Sequence, residues 1–121
     1  MENNTQNFYN KMMKTFPSTI QKYNNSIKEN GELLETVVIE DIFMPEILKL
    51  LSLDKEKEKI QDIFDYVEET VKGNKHLRDI LSITMMEILG NNTMILKTAK
   101  KYMGETSMKL QLEADKDLGR A

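Results

Sequence analysis

Apolar residues return every three or four positions through most of this chain, and the runs are broken at intervals by glycine, asparagine and proline. That pattern predicts helices at about 5–15, 17–29, 41–52, 55–72, 75–89, 92–103 and 105–117. Placed at about 100° per residue, Ile60, Ile63, Phe64, Val67 and Val71 fall in one sector roughly 100° wide, the core face of an amphipathic helix. The next segment differs. Leu77, Ile80, Leu81, Ile83, Met85, Met86, Ile88 and Leu89 leave only a narrow polar strip through Asp79 and Ser82, so this helix is expected at the centre, contacted on several sides.

The two segments also align with each other. KIQDIFDYVEETVKGN (Lys59 to Asn74) matches HLRDILSITMMEILGN (His76 to Asn91) after a shift of 17 residues. Ile60 falls on Leu77, Asp62 on Asp79, Ile63 on Ile80, Phe64 on Leu81, Val71 on Ile88, and Gly73-Asn74 on Gly90-Asn91. Short connections between such units predict antiparallel neighbours. The expectation is therefore an all-α fold, a single domain over residues 1–121, built as a HEAT-like stack of α-hairpins with six or seven helices.

Punctuation supports these boundaries. Glycines 31, 73, 90 and 104 each follow an apolar-periodic stretch, and Asn74, Asn91 and Asn92 follow two of them, which suits left-handed C-caps and new N-caps. Pro17 suits a first helical turn. Pro45 is allowed in the first turn of a helix capped by Asp41, or else begins a shorter helix. Thr36 to Ile39 is a β-branched run with no partner strand in view, and reads as extended linker or helix start.

Composition narrows the class. At 121 residues, with 40% apolar and 31% charged residues, the chain lies in the globular range and is long enough to bury one core. It has no cysteine, so neither disulfides nor thiolate metal sites are possible. The longest run without a charge, Ile88 to Leu96, is nine residues, far below the roughly 20 that span a bilayer. The start, MENNTQNFYNKMMK, lacks a basic n-region followed by an apolar h-region, and the expected location is the cytoplasm.

Charge is distributed unevenly. Between Asp54 and Lys72 lie seven acidic residues and four lysines, which accounts for the whole formal charge of −3. Glu58, Asp62, Asp65 and Glu69 follow the i, i+4, i+7, i+11 pattern opposite the Ile60/Phe64 face and form an acidic ridge. Lys55, Lys59 and Lys72 stand near enough for partial compensation. As a solvated face the ridge needs no further explanation; as a docking surface it would attract a basic partner.

Candidate reaction chemistry is sparse. His76 is the single histidine, at a helix start, and offers no zinc site alone. Ser82, six positions later, points elsewhere on the same helix, so no nucleophile–base pair forms. There is no GxGxxG and no P-loop lysine. Asp54, Glu56 and Glu58 imitate the start of a calcium loop, but Lys59 occupies the position that requires glycine. No catalytic residue, cofactor or metal is expected. Glu87 is the one carboxylate out of place, lying between Met86 and Ile88 on the most apolar helix, and is a candidate buried polar site. Burial would cost several kcal/mol unless the group were paired or hydrogen-bonded.

Lys97, Lys100 and Lys101 after a Gly-Asn-Asn turn give only a slight helix-turn-helix likeness, too little basic surface for nucleic acid in an acidic chain. No amphipathic face carries the basic strip that membrane binding needs. Of the nine methionines, Met85, Met86, Met94 and Met103 are expected to fill gaps in the core, and Met12 and Met13 are candidates for an adaptable surface.

Phe16-Pro17, the Gly31-Glu32 start, IFDYVEE (Ile63 to Glu69), ILSITMMEILGNN (Ile80 to Asn92), KYMGETS (Lys101 to Ser107) and the closing LGR (Leu118 to Arg120) together resemble a family of small, uncharacterised, all-helical bacterial proteins. The resemblance runs from Phe16 to Arg120 and implies a helical fold without known enzyme activity. Proteins of this kind are often neighbours of polymorphic toxins, which implies an immunity protein that neutralises its toxin by binding it. The expectation is a non-catalytic protein-binding protein whose acidic ridge meets a basic toxin domain. A helical adaptor or regulatory scaffold is the alternative, and an enzyme using Glu87 or His76 is a third class.

Overall fold

Each segment with helical periodicity folds as a helix in the computed structural model, which describes residues 4–32 and 34–120. Seven helices, and no strand, lie among the described residues. These are α1 (Asn4–Thr15), α2 (Thr19–Asn30), α3 (residues 35–53), α4 (Lys57–Gly73), α5 (residues 75–90), α6 (Thr93–Lys100) and α7 (Glu105–Asp117). One apolar cluster takes side chains from all seven. On α4, Ile60, Ile63, Phe64, Val67 and Val71 are all at most 1% exposed. At about 2 kcal/mol each, their burial contributes on the order of 10 kcal/mol before conformational entropy is subtracted.

The central position expected of the fifth helix is observed. The middle of α5 packs on α3 and α7, and its ends on α4 and α6. Met85 and Met86 lie in the core, as the sequence suggests, but Ile83 is 54% exposed. At 100° per residue Ile83 lies about 110° from the mean direction of Leu77, Ile80 and Leu81, off the core face; a π turn over Ser82–Met86 then adds a residue to one turn and rotates everything after it. Before this turn, burial on α4 and α5 matches at a separation of 17 residues: Ile60 with Leu77, Ile63 with Ile80, Phe64 with Leu81. Beyond it the separation is 18: the fully buried counterpart of Val71 is Leu89, while Ile88 is only half-buried. The caps shift likewise, since Asn74 accepts from Leu77 N–H at 2.9 Å and Asn92, not Asn91, accepts from Ile95 N–H at 3.0 Å.

A second π turn explains Pro45. The third helix begins at Glu35, earlier than the expected 41, because Val38 and Ile39 are buried and the β-branched run has no strand to join. In the π turn Ile39–Phe43, Met44 N–H donates to the carbonyl of Ile39, five residues back. The next residue, Pro45, has no N–H to give, so the widened turn carries the helix through an exposed proline. Pro17 sits in the α1–α2 turn rather than in α2, and Thr19 closes that turn with backbone N–H and Oγ1 bonds to the Phe16 carbonyl.

The capping expectation is only partly met. Gly31 is left-handed, φ 71°, as predicted, but Gly73 and Gly90 end their helices without positive φ, and Gly104 precedes α7 at φ −79°, ψ 177°. Asp54, φ 46°, is also a left-handed C-cap, and Gly119, φ 72°, is left-handed just past the end of α7. Of the methionines, Met94 is 73% exposed and fills no gap, because α6 presents it outward, whereas Met12 is fully buried between helices and is no surface residue.

Candidate functional site

The amphipathic pattern of α4 fixes which side chains leave the molecule. With its apolar sector in the core, Glu58, Asp62, Asp65 and Glu69 all emerge on the exposed face. Their partners are few. Asp62 meets Lys11 of α1 at 2.5 Å, Asp65 accepts from Gln61 Nε2 at 2.8 Å, and Glu69 lies 3.8 Å from Lys72. Glu58 makes no ion pair among the described residues. Lys72 is therefore a compensator as expected, but Lys59 instead lies over the Phe16 ring, 5.3 Å from its centroid, and Lys55 pairs with nothing described. Exposed pairs of this sort contribute at most about 1 kcal/mol, so the carboxylates stay available to a partner.

Two other acids of this region, Glu68 and Asp54, turn to other tasks. Glu68 faces the start of α7, where its carboxylate accepts from Thr106 N–H (3.0 Å), Ser107 N–H (2.8 Å) and Ser107 Oγ (2.8 Å). Burial would raise the Glu68 carboxyl, but the donors of Ser107 and Thr106 outweigh it and hold the group below its ordinary value. Asp54 receives the Tyr102 hydroxyl at 2.5 Å and stands 3.3 Å from Lys57 and 3.5 Å from Lys101. The Tyr102 bond, chiefly, holds the Asp54 carboxyl low, with Lys57 and Lys101 adding to it. These contacts join the ends of α3, α4 and α6.

Glu87 is not the buried carboxylate. The π turn that ends at Met86 sends Met85, Met86 and Leu89 inward and leaves Glu87 on the half-buried rim; what is engaged there is its carbonyl, which accepts from Arg120 Nη2 at 3.2 Å. The buried acid is Asp115, 6% exposed. Arg120 donates to its Oδ1 from Nη2 (3.0 Å) and Nε (3.3 Å), and also reaches Asn91 Oδ1 from Nη1 (2.9 Å). Gln111 Nε2 adds a bond to the same oxygen at 3.0 Å. Gly90 leaves the room: a Cβ there would fall 2.5 Å from Asp115 Oδ1 and 2.7 Å from Arg120 Cζ. His76 stays mostly solvent-exposed, 3.0 Å from Glu35.

The structure thus brings the ridge residues together as an open acidic face and scatters Glu87 and His76. No three of His, Asp or Glu converge as a metal site among the described residues. No described helix is long and apolar enough to cross a membrane. The sequence did contain one signal for the role of Glu68. Gly104 before α7 cannot cap with a side chain, so the first N–H groups of α7 require an acceptor from elsewhere. Asp115 and Arg120 carried no such local sign.

The motifs behind the family resemblance meet in pairs in this geometry. Glu68 of IFDYVEE caps the helix that follows KYMG, and Arg120 of LGR closes on Gly90 and Asn91 of ILGNN. No curated protein and no solved structure matches the chain. Residues 9–118 match a family described as Domain of unknown function (DUF7674), and the chain belongs to that family.

Proposed function

We infer that this protein is a non-catalytic binding protein whose α4 face engages a basic surface on a protein partner, and that the partner is a toxin domain which it neutralises. The observation that carries this reading is the exposed row Glu58, Asp62, Asp65 and Glu69 on a helix whose opposite face is wholly buried. A buried face fixes the helix, so the carboxylates are held in position before any partner arrives. Charge presented in this way speeds encounter and selects by sign. Occlusion requires no reaction chemistry, and the polar residues most tightly bound here, Glu68, Asp54 and Asp115, hold helices together.

Calorimetric titration against the product of the neighbouring gene tests the reading. Binding that weakens with salt, and that slows about tenfold or more when Glu58, Asp62, Asp65 and Glu69 are all changed to lysine, is the expected result. Absence of binding, together with normal survival of cells that lack this protein beside an active toxin, rejects it. A helical adaptor is the second reading, favoured by exposed Met108 and Leu112 on α7, far larger apolar side chains than a solvated helix face requires. The same titration separates the two if a host protein binds in place of a toxin.

A further inference from the structure

A second surface has the opposite sign to the ridge. On α7, Ser107, Leu110, Gln111, Ala114 and Asp115 take the buried face. Met108 and Leu112, one turn apart, are left 39% and 49% exposed. They line a groove of about 240 Å³ whose remaining walls are Lys100, at the end of α6, and Lys109. Lys97 precedes Lys100 by one turn, and Lys116 follows Leu112 by one turn. Lys97, Lys100 and Lys116 make no ion pair among the described residues, and Lys109 lies 3.4 Å from the exposed Glu105. Glu113 follows Lys109 by one turn, about 40° from it and about 140° from Met108 around the helix, and does not line the groove.

We propose that this groove docks an acidic amphipathic helix of a second protein, with apolar side chains seated on Met108 and Leu112 and carboxylates meeting Lys100 and Lys109. Three features select that occupant. An apolar pair at i, i+4 spacing is the complement of another helix's i, i+3, i+4 anchors. Methionine adapts its shape to what lies on it, and lysine stems widen the apolar floor while their ammonium groups stay at the rim. The charge sign favours an acidic segment and disfavours the basic partner inferred for α4. No strand edge lies among the described residues, so recognition falls to side chains on helices.

The test uses the intact protein and a synthetic amphipathic peptide with leucine on one face and glutamate on the other, followed by amide NMR. Shifts concentrated at Lys100, Met108, Lys109 and Leu112 are expected, with binding weakened about tenfold or more in the K100E/K109E variant. Leu112→Ser, an exposed change that leaves the core intact, should weaken it comparably. Variants with Glu58 and Glu69 changed to glutamine and Asp62 and Asp65 changed to asparagine, which remove the α4 ridge without creating a basic face, should bind the peptide unchanged, which separates this result from the fate of the α4 reading. Shifts spread elsewhere, or none, overturn the proposal. So does sedimentation with phosphatidylserine vesicles while the peptide leaves these amides unmoved, which would assign the face to a membrane surface. Concentration-dependent shifts at these residues without peptide would assign it to a second copy of the chain, and likewise overturn it.

Discussion

The contact between Glu68 and Gly104 permits a prediction in which two single changes should not add. Gly104 has φ −79° and ψ 177°, a conformation open to any residue, so alanine there meets no backbone strain. Its Cβ would, however, fall 2.6 Å from both Cγ and Oε1 of Glu68. The carboxylate that caps Thr106 and Ser107 must then move, and Gly104→Ala should cost about 1–3 kcal/mol by overpacking and loss of the cap. Glu68→Ala removes the acceptor of three donors, one of them a hydroxyl, at a partly exposed site that water can reach; about 2 kcal/mol is expected. With Glu68 truncated, the three atoms nearest the new methyl are gone. Gly104→Ala should then be neutral, or stabilising by about 0.5 kcal/mol through the unfolded chain.

Urea unfolding of the wild type, both single variants and the double variant reads the coupling directly. A value of about 1–3 kcal/mol in favour of the double variant is expected. Equal cost of Gly104→Ala in both backgrounds would show that Glu68 does not occupy this position, and would refute the assigned cap of α7.

Arg120→Ala leaves the Asp115 carboxylate, whose side chain is 9% exposed, without its cation. A loss of about 2–4 kcal/mol in thermal or urea unfolding is expected, with Arg120→Lys recovering part of it because lysine lacks the two-pronged geometry. Acid sensitivity follows from Glu68. Its folded carboxyl titrates below the ordinary 4.5, so its contribution is complete above that pH and is lost as pH falls through the folded value; Glu68→Gln should show a shallower decline in urea midpoint below pH 4.5. Changing Glu58 and Glu69 to glutamine and Asp62 and Asp65 to asparagine touches only exposed positions without adding like charges, and the unfolding free energy should fall by no more than about 1 kcal/mol.

The core faces of α4 and α5 were legible because burial follows helical period, and period is written in the residues themselves. What the period could not show was where it breaks. The π turn over Ser82–Met86 has no proline or glycine to announce it, and it displaced Ile88 and Glu87 from their expected places. The ridge was legible for the same reason as the core, since the four acids lie opposite the apolar sector. The inward acids were not. Glu68 sits one residue from Glu69 and is distinguished only by the arrival of α7 from 38 positions along the chain. Asp115 depends on Arg120 folding back, and Asp54 on a tyrosine 48 residues away. Long-range partners of this kind leave no periodic trace.

This division bears on what family membership means for function. Glu68, Ser107, Gly90, Asn91 and Arg120 belong to the stretches that carry the resemblance, and each is engaged in fastening α7 to α4 or α5. The family match over residues 9–118 shows a domain of that family, and these residues show how this chain closes its helical body. Under the binding role proposed above, recognition falls to side chains that the closure leaves free: Glu58 and Asp62 beside the motif on α4, Asp65 and Glu69 within it but facing outward, and Met108 and Leu112 beyond the cap of α7. Changes at the fastening residues should lower stability and lower binding only in proportion to the protein left folded. Changes at the outward residues should alter binding while the unfolding transition stays in place, and a ridge variant that melts as Arg120→Ala does would contradict the separation of the two roles.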